Sequence, residues 1–360
     1  MATEKEKVLS AAATIPDRDT RKLPPRTVLW IFGVLLFICT CLSFFIGRYP
    51  VPVREFFGIV WSKIAGLFGG STEVFWTGAM EAAVWNVRLP RVLMSILVGG
   101  CLSAAGASYQ AVFQNPMAAP DVLGASAGAG FGAALAIYFS LSGAMVSLSA
   151  FGMSLVTVAL VFWVSLRAKG DRVLGLVLAG IMVSSLFQAG TSFLKLVADP
   201  TNKLPEITYW LMGSLSGAKW SELGFVIWPM AAGLIPLYLL RWRLNVLAMG
   251  DDEAIAMGVD AGKLRIAVIV AATLVTASAV SVSGMIGWVG LVIPHMMRRL
   301  VGADCRYLMP GSMLGGALFL LIVDNVSRNL FTAGVPIGIL TAFVGAPFFL
   351  WLITGRREKV

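Results

Sequence analysis

The sequence predicts an all-α polytopic membrane protein with about ten transmembrane helices, on three observations. Hydrophobic residues make up 58% of its 360 positions and charged residues 13%, where soluble domains carry roughly 25% charged residues. Apolar stretches close to the ~20 residues needed to cross a bilayer recur along the chain. Lys and Arg gather in alternate gaps between those stretches, as the positive-inside rule requires of a multi-pass protein.

The segment 1–26 is polar and carries Lys5, Lys7, Arg18, Arg21, Lys22 and Arg26. The apolar stretch after it is longer than a signal-peptide core and is followed by no small-residue cleavage pattern, so it reads as an uncleaved first helix with a cytoplasmic N-terminus. The expected spans are 27–46, 92–113, 122–140, 145–166, 173–197, 221–240, 263–283, 286–301, 307–329 and 336–354, forming one membrane domain over 27–354. Threading them places Arg167, Lys169, Arg172, Arg241, Arg243, Lys263, Arg265, Arg298, Arg299 and Arg306 inside, with Arg356, Arg357 and Lys359 in a cytoplasmic tail, 355–360. The net charge of +9 therefore reflects topology and contact with anionic lipid, and gives no reason to invoke nucleic acid. Cys39, Cys41 and Cys101 fall in spans and Cys305 in a loop, a spacing that suggests neither a disulfide framework nor a zinc site.

Between the first two spans, 47–91 is expected outside, with Trp61, Trp76 and Trp85 placed to lie at the membrane interface. The run Asn115-Pro116-Met-Ala-Ala-Pro120-Asp121 separates the second and third spans without a Lys or Arg, and Gly124, Gly128, Gly130 and Gly132 follow. Both prolines stop the preceding helix, and Asn115 or Asp121 can cap the next. Irregular backbone of this kind inside a membrane survives beside protein or a water-filled cavity.

The segment 241–265 is expected inside. Asp251 and Asp252 can cap a short helix, Ala254, Ile255 and Met257 give it an apolar side, and Gly258 can end it. Such a helix suits a groove on a partner. Gly258 to Leu264 superficially resembles a phosphate-binding loop, but the spacer is one residue short and Leu264 replaces the required hydroxyl. A nucleotide-driven process would need its motor on another polypeptide.

The sole histidine, His295, follows Pro294 in an apolar span. Without a second ligand it is a poor metal site, and hydrogen bonding to backbone freed near Pro294 or to a neighbouring helix is the expected role. Arg91, the small residues after it and Asn115-Pro116 are echoed by Arg265, a small-residue run and Pro294-His295, crossing in the opposite direction, as inverted repeats would. Asp324 and Arg328 are spaced to pair within one helix. Arg88 and Arg91 stand at the outer mouth of the second span, as headgroup anchors or as contacts for an acidic partner.

From Arg88 to the C-terminus the chain resembles the FecCD family, the permease subunits of type II ABC importers. The resemblance rests on Arg88 to Arg91 (R-L-P-R), Asn115-Pro116 to Pro120 with Leu123-Gly124, and Trp210 to Leu215. It continues through Ala256 to Val259, Gly287 to Arg298 with Pro294 and His295, and Pro336 to Phe348 with Gly345 and Pro347. Before residue 88 the chain matches only in general character.

The resemblance implies a homodimer around a central path, two ATPase subunits inside that bind ATP and Mg, no cofactor in the permease itself, and an extracytoplasmic solute-binding protein. The membrane would be the bacterial or archaeal cytoplasmic (inner) membrane, and the cargo an iron complex of siderophore or haem type, or cobalamin. Asp251, Asp252, Glu253, Ala254, Ile255, Met257 and Gly258 match the family's ATPase-coupling loop. Arg88, Arg91 and Arg328 match arginines that meet the binding protein, although Val323 and Ser327 depart from the family's Ala-Asp-x-x-Ala-Arg pattern. Ser184, Ser185, Gln188, Thr191 and Ser192 are candidates for the path lining. The alternative, an ion-gradient-driven secondary transporter, calls for a buried carboxylate near mid-membrane, whereas Asp324 is read near a helix end and Asp121 in a loop.

Overall fold

The computed structural model describes residues 23–70, 73–167, 172–330 and 334–354. Most of the tails read as cytoplasmic, together with Lys169, lies outside the described residues. These residues form thirteen helices and no strand. Seven are long and apolar enough to cross a membrane: α1 (Pro25–Ser43), α3 (Gly78–Val112), α5 (Gly143–Ser165), α6 (Arg172–Val197), α8 (Trp220–Met249), α10 (Ala261–Ser283) and α12 (Cys305–Leu330).

Three of the ten expected spans are shorter. α4 (Ala125–Tyr138) has 14 residues, α11 (Val289–Val301) 13 and α13 (Ile337–Thr354) 18. At 1.5 Å per residue α4 reaches about 21 Å, short of the roughly 30 Å hydrocarbon core. Gly124 at φ 74° and Trp288 at φ 71° stand at the starts of α4 and α11, so each half of the chain follows a long helix (α3, α10) with a half-length one. The echo read from the sequence follows this pairing only in part: Asn115-Pro116 lies in the loop before α4, whereas Pro294-His295 lies inside α11.

The segment 47–91, read as an external loop, carries α2 (Val53–Leu67) and the first turns of α3, which include a π-helical stretch at Ala83–Arg88. Val51, Ile59, Trp76 and Val84 form a small core of their own there. Trp76 is thus buried inside protein, and only Trp61 stays well exposed.

α3 is the axis of the molecule, buried along most of its apolar length, and its small residues make that possible. A Cβ on Gly99 would overlap the Gly316 carbonyl of α12, and one on Gly106 the Gly290 carbonyl of α11. Backbones meet directly at both points, the close approach that small residues permit where no hydrophobic effect drives membrane helices together. Tyr109 of α3 and Thr273 of α10 share a buried hydrogen bond of 3.0 Å. Gln110 accepts from Arg298 at 3.0 Å and donates to the Leu291 carbonyl at 3.4 Å.

Candidate functional site

Two clusters hold the predicted coupling residues and arginines, and a separate cavity is lined by Pro347. The first cluster centres on α9 (Asp251–Ala256), and Asp251 and Asp252 do not cap it as expected. The N-cap is Gly250, with no side-chain cap, and both aspartates lie in the first turn beside Glu253, where negative charge favours the positive end of the helix. Asp251 is drawn away to Arg265 of α10, whose Nη2 and Nη1 reach its two oxygens at 2.5 and 3.3 Å.

Gly258 ends α9 as expected. It adopts φ 73°, its N–H donates to Ile255 O at 2.9 Å, and the Val259 N–H donates to Ala254 O at 2.9 Å, the paired bonds of a Schellman ending. Ala254 is fully buried, which leaves Ile255 (67% exposed) and Met257 (53% exposed) as the apolar outer face.

Nearby, Asn245 of α8 donates to Asp304 Oδ1 at 2.8 Å and accepts from Cys305 N at 2.7 Å, and Arg306 Nε donates to Asp304 Oδ2 at 2.8 Å. Arg306, with help from its own backbone N–H and from Asn245, pulls the Asp304 carboxyl down to about 2. A depressed folded-state value means stability that is present above the ordinary carboxylate pKa, near ~4, and lost as pH falls through about 2. The thermal-midpoint gap between wild type and Asp304→Asn should therefore be constant from about pH 7 to 5 and smaller at about pH 3. Scanning fluorimetry across that range checks it, and an unchanged gap at the acid end would show that this carboxylate does not hold the turn.

At the other face, Arg91, Arg328 and Asp324 meet. Arg91 Nε and Nη2 lie 2.9 and 2.8 Å from Asp324 Oδ1, while Arg328 Nε stands 3.2 Å from Oδ2 in a Coulombic contact without hydrogen-bond alignment. The expected Asp324 and Arg328 pair is present, and Arg91 is its unpredicted third member. Arg88, expected at the surface, is only 5% exposed and donates to the carbonyls of Phe44 and Tyr49, binding its own chain. All three arginines, with Arg48, Tyr209 and Ser327, line a cavity of about 630 Å³.

Between the clusters a cavity of about 720 Å³ is bounded by Leu102, Asp121, Thr276, Trp288, Phe343 and Pro347 among others. Asp121 lies in a loop, as expected, and that loop brings it to the wall of this cavity together with Leu102 of α3. Its Oδ1 accepts from Ser126 N at 2.9 Å, tying down the start of α4, while Asn115 closes its own turn onto Met117 N at 2.9 Å. Pro116 stays in the loop, and Gly345 leaves room in α13 for Trp288.

His295 does not find the partner expected of it: Nδ1 is buried with none. Among the α6 candidates, Ser185, Gln188 and Ser192 lie on the exposed face. Thr191 is buried and donates to Phe187 O at 2.9 Å, and Ser184 packs against Gly124.

The profile described as the FecCD transport family matches residues 35–355. The chain belongs to the FecCD transport family. It is 41% identical over 324 residues to the molybdate import permease MolB of Haemophilus influenzae, covering 89% of this chain and 94% of that one. It is 38% identical over 306 residues to the hemin permease HmuU of Yersinia pestis, covering 82% and 91%. Against the cobalamin permease BtuC of Halobacterium salinarum it is 35% identical over 353 residues, covering 98% and 94%. Among solved structures it is similar to a metal-chelate type ABC transporter in an inward-facing conformation, with TM-score 0.81, 38% identity and coverage of 91% and 99%. This FecCD chain is thus a multi-pass permease subunit of an ABC importer.

Proposed function

We propose that this permease pairs with a second copy of itself in the cytoplasmic membrane of a prokaryote, both termini inside, and passes an iron complex or cobalamin along the path between them. A solute-binding protein delivers the cargo. Two ATPase subunits, which bind ATP and Mg, drive the cycle from the cytoplasmic side. The observation that carries this reading is α9, a six-residue helix fixed by Arg265 and ended by Gly258 that turns Ile255 and Met257 outward, a shape for insertion into a partner groove.

The outer cavity, with Arg91 and Arg328 at Asp324 and Arg88 holding its wall, suits an acidic partner. Ser185, Gln188 and Ser192 on the open face of α6 would line the path. A permease that releases its cargo needs few fixed ligands, and the largely apolar 720 Å³ cavity fits that demand.

The test is uptake into proteoliposomes holding the permease with its cognate ATPase and binding protein, across labelled ferric siderophore, haem, cobalamin and molybdate. Uptake of an iron complex or cobalamin that needs both ATP and the binding protein is expected. Molybdate as the sole cargo would overturn the cargo assignment, and uptake driven by an ion gradient without ATP would overturn the importer itself. Ile255→Asp is expected to weaken ATPase co-purification by about tenfold while membrane insertion stays normal, since a charge replaces an apolar anchor. Unchanged co-purification would move the dock away from α9.

A further inference from the structure

The two halves of the chain place the same device at opposite faces. Arg91 follows the π-helical stretch of α3 and Arg265 stands in the first turns of α10, and the side chain of each is nearly buried, 14% and 5% exposed. Each gives its guanidinium to an aspartate on another helix, Asp324 of α12 and Asp251 of α9. The outer clamp joins two membrane helices. The inner clamp joins a membrane helix to a six-residue surface helix that buries only Ala254.

That difference decides what the inner clamp can do. Arg265 spends both terminal nitrogens on Asp251, and its Nε is buried with no acceptor. α10 is closely packed: a Cβ on Gly233 of α8 would press on Ala271 O at 2.6 Å, and Thr273 is bonded to Tyr109. A helix so packed moves as a body. At its far end the Ser283 carbonyl accepts from Ser214 N at 2.7 Å, and the chain then enters the turn that holds Trp288 at φ 71° on the wall of the 720 Å³ cavity.

We propose that Arg265 is a positioning residue for transport, transmitting displacement of α9 through α10 to the Trp288 turn and the cavity. The proposal rests on the importer reading, with α9 as the ATPase dock. Arg265 makes no contact with the ATPase in this scheme. It converts the partner's movement into movement of a membrane helix, so its loss separates hydrolysis from uptake rather than abolishing either by itself.

The experiment uses the reconstituted transporter with its ATPase and binding protein and reads cargo taken up per ATP hydrolysed. In complexes that retain the ATPase, Arg265→Met is expected to lower uptake per ATP hydrolysed about tenfold. Arg265→Lys keeps the charge but loses the fork, and is expected to fall about threefold. Exchanging the pair, Asp251→Arg with Arg265→Asp, is expected to restore most of the uptake per ATP that Arg265→Met loses, a ratio that a loss of folded protein alone does not change.

A wild-type ratio in Arg265→Met overturns the proposal, as does an exchanged pair no better than the single variant. Should Arg265→Met fail to fold, Arg265→Lys decides, and a wild-type ratio there overturns it equally. Absence of ATP-dependent uptake in the wild type would strike the importer reading instead, which keeps the two failures distinct.

Discussion

Gly106→Leu is expected to yield no stable permease. The added Cβ falls on the Gly290 carbonyl oxygen, and backbone cannot rotate away as a side-chain tip can. Overpacking a core costs about 1–3 kcal/mol when neighbours yield. Here nothing flexible faces the intruder, so the loss should lie at or beyond the top of that range. Fluorescence-detected gel filtration of the tagged protein, with thermal challenge, measures it. Gly152 of α5 has open space around the position of a Cβ, so Gly152→Ala should elute like wild type and gain up to about 1 kcal/mol from helix propensity. Equal behaviour of Gly106→Leu and Gly152→Ala would show that α3 and α11 are not in backbone contact.

Asp324→Asn is the second large effect. The amide keeps the shape but removes the only carboxylate shared by Arg91 and Arg328, both of which stay largely buried. Removing one partner of a buried ion pair costs about 3–5 kcal/mol because the remaining charge is left uncompensated. A marked fall in thermal midpoint is the expected result, and a midpoint equal to wild type would mean that the cluster opens to water. Replacing all three with apolar residues, Asp324→Leu with Arg91→Met and Arg328→Met, should recover much of the stability. On the proposed function that triple variant would fold and insert while losing affinity for the binding protein.

The features legible in the sequence are those that follow from local chemistry. Ten apolar stretches correspond to ten of the helices, because burial in lipid is a property of each stretch by itself. Gly258 was readable as the end of α9 because only glycine adopts φ 73° there without penalty. What escaped depends on distant partners. Asp251 looks like a cap until Arg265 is found beside it, and Arg91 looks free until the fold brings Asp324 to it from 233 residues away. Arg88 matches a family docking position yet is bound by the carbonyls of Phe44 and Tyr49, a bond no local pattern announces. The polar residues of α6 pointed to a lining, but helical periodicity sends Thr191 into the protein and Ser192 out of it. The loop position of Asp121 was legible, but not that Gly290 leaves room for Pro120 beside Leu102.

The meeting of Gly99 with Gly316 also bears on how the chain matures. α3 enters the bilayer early in synthesis, yet the helix that fills its notch is made almost last. Until α12 arrives, α3 presents to lipid a groove shaped for protein, and loop-closure entropy opposes a contact between points so far apart along the chain. A ribosome that stops before residue 316 therefore leaves α3 without the helix that fills its notch.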